Sequence, residues 1–164
     1  LMRLVYEDLK RGAHNQMARI SPGQTLSTTV LVHETFEKLA TQAGLSINDR
    51  SHFYSLCAGA MRHIVIDHYR KRGTEKRRAD PDAMAAYENR RVTPDIDSAL
   101  TELGRAMDQL ERRDPRLLEV FEMRFFAGLT DAEIASRLGL SDRTVQRLVA
   151  KARAWVGAGL GSGA

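Results

Sequence analysis

A short segment near the C-terminus concentrates side chains that can hydrogen-bond to nucleic acid. Arginine and glutamine can read the edges of bases, while threonine, lysine and arginine can hold phosphates. Such side chains recur on the solvent side of a predicted helix that follows Leu140. They are Arg143, Thr144, Gln146, Arg147, Lys151 and Arg153. The chemistry that they offer is recognition of a DNA duplex.

Two predicted helices joined by a tight turn position these side chains. Thr130, followed three residues later by Glu133, forms a capping box, so a helix is predicted to begin at Asp131. Gly139 can take a positive φ and end that helix, and Ser141 is a good N-cap for the next one. The residues predicted to face inward are Ile134, Ala135, Leu138, Val145, Leu148 and Ala152. This spacing indicates a helix-turn-helix with its second helix in the major groove. An ordinary helical hairpin with a basic solvent face is the competing interpretation.

The composition is that of a folded, soluble and basic protein. The chain has 164 residues, of which 43% are hydrophobic and 28% charged, and its net charge is +4. No apolar run approaches the ~20 residues that span a bilayer, and no signal-peptide pattern opens the chain. We therefore expect a cytoplasmic protein without a membrane partner. The single Cys57 excludes an intrachain disulfide and gives no support for a zinc knuckle.

Apolar periodicity predicts helices along most of the chain, and no strand pattern competes with it. The predicted helices cover approximately residues 4–17, 26–40, 51–72, 96–110 and 115–126, with a short one possible at 84–87. We expect an all-α fold of two small helical domains, at 1–72 and 95–156. A polar linker at 73–94, with Gly73 as the preceding helix C-cap, would join them. Residues 157–164 are predicted to form a flexible tail.

Three segments of the chain resemble one family of bacterial transcription proteins. Leu110 to Leu129, together with the helix-turn-helix, resembles region 4 of sigma factors of the extracytoplasmic-function (ECF) type. The segments Leu31 to Leu39 and Phe53 to Arg72 resemble region 2 of the same family. The motifs LVHE in region 2 and RTV with ARAW in region 4 are similar to one subgroup. The resemblance implies a non-enzymatic subunit, without a cofactor, that binds the clamp and flap of core RNA polymerase and recognises promoter DNA.

The resemblance also implies roles for individual residues. Region 4 would bind the −35 promoter element through the six side chains named above. Region 2 would melt and hold the −10 element, and single-stranded DNA requires cations along its backbone. The −10 candidates are Asn48, Arg50, Ser51, Arg62, His63, Asp67, Arg70, Lys71 and Arg72. Candidates for core-polymerase binding are His33, Glu34 and Glu37. For Phe53, Tyr54 and Tyr69, core packing is the favoured role over base stacking.

One departure from the family pattern suggests regulation. Most members carry an acidic cluster before region 2.2, which contacts the basic clamp helices of the polymerase. Here the matching stretch runs from Ser27 to Val30, and no carboxylate occurs between Ser27 and Glu34. A phosphothreonine would supply about −1.5 to −2 charges. One hypothesis is that a Ser/Thr kinase phosphorylates Thr29, or alternatively Thr28, and so switches polymerase binding on. The other is that these hydroxyls only cap a helix.

Three other functions compete with the sigma-factor interpretation. A dimeric operator-binding helix-turn-helix regulator would leave the first 72 residues unexplained. An enzyme would have to use the group His63, Asp67 and His68, of which only His63 and Asp67 share a helix face. A third metal ligand on that face and a second shell are not evident. An anti-sigma-related or polymerase-accessory module is a further alternative. An anti-sigma factor as a partner of the chain is also consistent with the family.

Overall fold

The structure, a computed structural model, describes residues 2–20, 26–79 and 96–161. Within these ranges all regular structure is helical, so the all-α prediction is confirmed. The helices are α1 (Met2–Ile20), α2 (Thr28–Thr41), α3 (Arg50–Ala79), α4 (Ile96–Arg113), α5 (Pro115–Phe125), α6 (Asp131–Leu138) and α7 (Asp142–Gly161). None of the helices in the described part of the chain is long and apolar enough to cross a membrane.

Local sequence signals explain where several helices begin. The Ser27 hydroxyl accepts a hydrogen bond of 3.2 Å from the Val30 amide and caps α2. Asp114 caps α5 in the same way, with its carboxylate 3.2 Å from the Leu117 amide. Pro115 occupies the first helical position, where its missing N–H is no loss. Caps of this kind satisfy amides that have no partner within the helix.

The predicted end of the third helix is wrong. Helix α3 does not stop at Arg72 but continues to Ala79, and Gly73 is buried within it rather than capping it. Residues 73–79, which were predicted to begin the linker, are therefore helical. A tertiary contact supports the extension, since Nε of Arg72 lies 3.7 Å from a carboxylate oxygen of Asp97 at the start of α4. Gly73 itself is buried, and packing of this kind outweighs the low helix propensity of one glycine.

Three other expectations concern the second half of the chain. The flexible tail was predicted from residue 157, but α7 extends to Gly161. The short helix predicted at 84–87 lies outside the described residues. The predicted helices at 96–110 and 115–126 correspond closely to α4 and α5.

Helices α1–α3, the N-terminal module, pack directly against α4–α7, the C-terminal module. One continuous cluster of buried apolar residues runs through both. Helix α3 lies against α4 and α5, and Gly104 of α4 makes room for Ile66 of α3. At the other end of the contact, Gly12 of α1 meets Gly128, the backbones being so close that neither residue has space for a Cβ atom. The core thus extends across the boundary between the modules.

Candidate nucleic-acid interface

Both ends of α6, including the turn into α7, have the predicted geometry. The Glu133 amide donates to the Thr130 hydroxyl over 3.2 Å, and the Glu133 carboxylate accepts from the Thr130 amide over 2.8 Å. The capping box is therefore confirmed. Gly139 has a φ of 64° and ends α6 in the left-handed conformation that glycine adopts without strain. The positive φ of Gly139 turns the chain directly into α7.

The inner faces of α6 and α7 hold the two helices in a fixed relation. Ile134 and Val145 are fully buried, and Ala135 is almost so. The amide of Leu140 donates to the Ala135 carbonyl over 3.0 Å, which closes the turn over this small residue. Ala152, about two helical turns after Val145 on α7, is also fully buried. The orientation of the outer face of α7 is thereby set by core packing.

The outer face of α7 presents the six side chains predicted to bind a duplex. Five are exposed and Thr144 is half-buried: the exposed ones are Arg143, Gln146, Arg147, Lys151 and Arg153. The Thr144 amide donates to the Ser141 hydroxyl over 3.2 Å, so that Ser141 acts as the predicted N-cap. A shallow cleft between α5 and α7 is lined by Arg124, Gln146 and Arg153, among others. A basic, solvent-facing helix of this kind can lie in the major groove.

The candidates on α3 and the loop before it divide by exposure. Asn48, Arg50, His63, Asp67, Arg70 and Lys71 are exposed, whereas Ser51 and Arg72 are half-buried. Arg70 lies 3.7 Å from the carboxylate of Asp67, and Arg50 lies over the ring of Tyr54 at 5.7 Å from its centroid. The predicted packing role of the aromatic residues is confirmed, since Phe53, Tyr54 and Tyr69 are buried.

Arg62 does not lie with the exposed candidates. Its side chain is 2% exposed and is enclosed between α3, α4 and α5. Nε lies 2.6 Å from Glu122, and the two terminal nitrogens lie 3.1 Å from Asp108 and 3.2 Å from Glu111. The expectation that Arg62 faces DNA is therefore not met in this arrangement of the modules. Because three carboxylates surround the guanidinium, no nucleic acid can reach it.

The profile of the ECF sigma factor family matches residues 1–162. The chain belongs to the ECF sigma factor family. No curated protein and no solved structure gave a significant match. Membership of the family makes this protein a sigma-70-type sigma factor, whose role is transcription initiation with RNA polymerase. The motifs that suggested one subgroup are not tested by this match.

Sequence reasoning missed the carboxylates that enclose Arg62 in this sigma factor. Glu122 is the most buried of them, and burial raises its pKa to about 7 despite the opposing effect of Arg62. A signal was present, because Glu122 lies in the apolar register of α5, between Leu118 and Phe125. No such signal marks the half-exposed Asp108 and Glu111, which depend on how the modules dock.

The N-terminus of α2 carries the other predicted sites. His33, Glu34 and Glu37 are exposed on this helix. Ser27 provides the cap, while Thr29 is exposed and Thr28 half-buried in the first turn. A cavity between α1 and α2 is lined by Lys10, Arg11, His14, Thr28 and Thr29, among others. Basic side chains, together with the carboxylate of Glu7, thus share a surface with both threonines.

The group proposed for an enzymatic alternative has other contacts. Nδ1 of His63 lies 2.8 Å from the Gly59 carbonyl oxygen, and its Nε2 lies 3.3 Å from Arg62. Across the described residues, no three His, Cys, Asp or Glu side chains are placed together to hold a metal ion.

Cys57 is buried, which raises the pKa of its thiol to about 12. Its thiol is therefore protonated and unreactive at neutral pH.

Proposed function

We propose that this sigma factor directs core RNA polymerase to promoters by reading a −35 duplex with α7 and holding a −10 element with the N-terminal module. The observation that carries the proposal is the basic outer face of α7. Its orientation is fixed by the buried residues Val145 and Ala152, and the face remains open to solvent. Gln146 and Arg147 are the residues best suited to base edges, and Lys151 is suited to phosphate.

The −10 site would lie on the outer side of α3 and on the loop before it. Arg70 and Lys71 supply exposed positive charge, and Asn48 and Arg50 lie in and just after that loop. Single-stranded DNA is held by such cations together with groups that hydrogen-bond to unpaired bases. Ser51, His63, Asp67 and Arg72 complete the proposed site, and Arg62 would join it only after its carboxylate partners are removed.

The exposed face of α2 is the proposed contact with the polymerase clamp. His33, Glu34 and Glu37 would make this contact, and the C-terminal module would bind the flap. Only two of these three side chains are carboxylates. Because complementary charge raises the association rate, additional negative charge on this face would favour binding to a basic partner surface. The polymerase carries out the chemistry, so the sigma factor itself needs no catalytic group.

Phosphorylation of Thr29 is the proposed means of adding the missing negative charge. Ser27 already caps α2, so capping does not account for an exposed hydroxyl at Thr29. A phosphate there would lie in the first turn of a helix, where the helix dipole favours negative charge. Lys10, which lines the same cavity as Glu7, offers a cation to pair with it. Arg11 also lines this cavity and would have to exchange its contacts with Asp8 and Glu133 for the phosphate. A Ser/Thr kinase is the partner that this mechanism requires, and an anti-sigma factor is the alternative regulator.

Co-elution with bacterial core RNA polymerase on a sizing column tests these proposals. The unmodified chain, Thr29→Ala and Thr29→Glu should be compared, with Thr41→Glu as the matched control at the other end of α2. We expect Thr29→Glu to bind more tightly than the other three. Equal binding by Thr29→Glu and Thr41→Glu, or full activity of Thr29→Ala in cells, would refute the phosphorylation proposal. If neither these forms nor a phosphorylated sample binds, and the chain elutes as a dimer, the operator-binding alternative replaces the proposal.

A further inference from the structure

The loop that carries part of the proposed −10 site is attached to α3 through one histidine. Residues 42–49 connect α2 to α3, and Asn48 lies in this loop. The backbone amide of Asn48 donates a hydrogen bond over 3.3 Å to Nδ1 of His52, in the first turn of α3. Among the described residues this is the only hydrogen bond made by residues 46–48. Ile47 is 48% exposed, too much to anchor the segment by packing. The position of Asn48 therefore depends on His52.

The arrangement is a variant of a capping box. Asp49 precedes α3, and its carboxylate accepts a hydrogen bond of 2.8 Å from the His52 amide. In an ordinary capping box, a glutamate or glutamine at this third helical position accepts from the amide of the capping residue. Here the third residue is a histidine, and its ring accepts from Asn48, the residue before the cap. Because Asp49 already caps α3, the bond from Asn48 serves the loop rather than the helix.

The imidazole of His52 can accept this bond only in its neutral form. A backbone N–H only donates, so Nδ1 carries the lone pair and the neutral ring holds its proton on Nε2. Protonation of the ring places an N–H at Nδ1, which then opposes the N–H of Asn48 and breaks the bond. Histidine is the side chain whose charge ordinarily changes between pH 5 and 8. Acidification within this range should therefore release residues 46–48.

Other charged groups lie near the ring and belong to three elements. Asp49 is bonded to the backbone of His52 from the loop. The ring also borders a cleft between α3, α4 and α5, whose charged lining residues are Glu111, Arg116, Glu119 and Glu122. Burial raises the pKa of Glu122 to about 7, so this carboxyl titrates in the same range. A substitution of His52 that retains Glu122 separates the two titrations.

We propose that His52 is a positioning residue for promoter opening, and that its neutral ring holds Asn48 in place to receive an unpaired base of the −10 element. This inference rests on the proposed function. A protonated ring releases Asn48, so the −10 element is held less well and initiation weakens on acidification. The loss of one hydrogen bond predicts an effect of about 2- to 13-fold.

Two substitutions of His52 test the proposal. His52→Asn keeps an oxygen acceptor close to the place of Nδ1 and cannot titrate, whereas His52→Phe keeps a ring without an acceptor. The first measurement is an NMR titration of the isotope-labelled chain from pH 5.5 to 8. We expect the Asn48 amide resonance to shift together with the His52 ring in the unmodified chain, and to lose this titration in His52→Asn. An Asn48 amide that does not follow His52 would overturn the inference, whether or not the chain supports transcription.

The second measurement is transcription by core RNA polymerase at pH 8 and at pH 6, from promoters that the chain is found to use. The background is the form, unmodified or Thr29→Glu, that binds core polymerase. The polymerase and Glu122 also respond to pH, so the ratio of activity at pH 8 to activity at pH 6 is compared between variants. This ratio should be about 2- to 13-fold larger with His52 present than in His52→Asn. His52→Phe, with its fold checked by circular dichroism, should be weak at both pH values.

The outcomes separate this inference from the proposed function. Equal pH ratios with His52 and in His52→Asn would refute the positioning role and leave the proposed function intact. The same conclusion follows if His52→Phe is as active at pH 8 as the chain that retains His52. If the Asn48 amide titrates as expected but no form of the chain gives transcription above core polymerase alone, the proposed function fails and the inference fails with it.

Discussion

Nε of Arg62 lies 2.6 Å from a carboxylate oxygen of Glu122, in the contact where α3 meets α5. The two side chains are 2% and 9% exposed. A buried ion pair offsets its desolvation only where further hydrogen-bonding groups complete it, and here Asp108 and Glu111 do so. The position of this pair links the stability of the packing between α1–α3 and α4–α7 to Arg62, a residue that the sequence predicts to contact DNA.

Removing the Arg62 charge should strongly lower the free energy of unfolding of the chain. At pH 8, where Glu122 is largely ionised, Arg62→Met leaves this carboxylate buried without its partner, and breaking a buried pair in this way costs about 3–5 kcal/mol. Arg62→Met/Glu122→Leu removes both charges and should recover most of the loss. Urea unfolding followed by circular dichroism measures both values. A double variant as unstable as Arg62→Met would contradict the account, because the unpaired carboxylate would then not be the cause.

Stability should fall as the pH rises through the titration of Glu122. Burial raises the pKa of this carboxyl to about 7, with Arg62 acting in the opposite direction. Between its ordinary pKa and pH 7 the folded state holds a proton that the unfolded state has lost, so the free energy of unfolding decreases with pH. The contribution is at most about 1.4 kcal/mol per pH unit. It is complete at low pH and is lost above pH 7.

Glu122→Gln provides the comparison, since it keeps the shape and cannot titrate. The difference between the unfolding curves of the two proteins, measured from pH 4.5 to 8, should carry the slope. Parallel dependence of both proteins on pH would show that Glu122 does not titrate in this window.

The contact of Gly12 with Gly128 should not tolerate a methyl group. A Cβ on Gly12 would meet the Ala127 carbonyl oxygen, so Gly12→Ala should cost about 1–3 kcal/mol by overpacking. Gly157→Ala is the matched control, since it lies in α7 with open space around its Cβ position. The control should gain about 0.5–1 kcal/mol from helix propensity. Thermal unfolding separates the two, and equal midpoints would argue against the close approach of the modules.

Single substitutions on the outer face of α7 should weaken duplex binding without affecting the fold. Gln146→Ala and Arg147→Ala each remove a side chain suited to base edges, worth about 1–3 kcal/mol, or about 5- to 150-fold in affinity. Arg105→Ala, exposed on α4, is the control for loss of one positive charge. Fluorescence anisotropy with a duplex that the chain selects from a random pool gives the affinities. Unchanged affinity in both α7 variants would remove this face from the proposed interface.

Local features of this chain were predictable from sequence, and contacts between the modules were not. The Thr130 capping box and the Gly139 turn were predicted because their causes lie within a few residues. The extension of α3 past Gly73 was not, because a glycine after a run of apolar periodicity locally favours a helix end, whereas here Gly73 is buried in the fold. The same holds for Arg62. Its charge predicted a side chain exposed to solvent or to DNA, but its carboxylate partners come from two other helices.

The most direct test of the sigma-factor account is a map of transcription start sites. Core RNA polymerase with and without the unmodified chain and its Thr29→Glu form should transcribe fragments of the genome that encodes it. The account predicts new start sites preceded by one shared pair of sequences at −10 and −35, with the −35 preference lost in Gln146→Ala/Arg147→Ala. Start sites identical to those of core polymerase alone, for both forms, would contradict it.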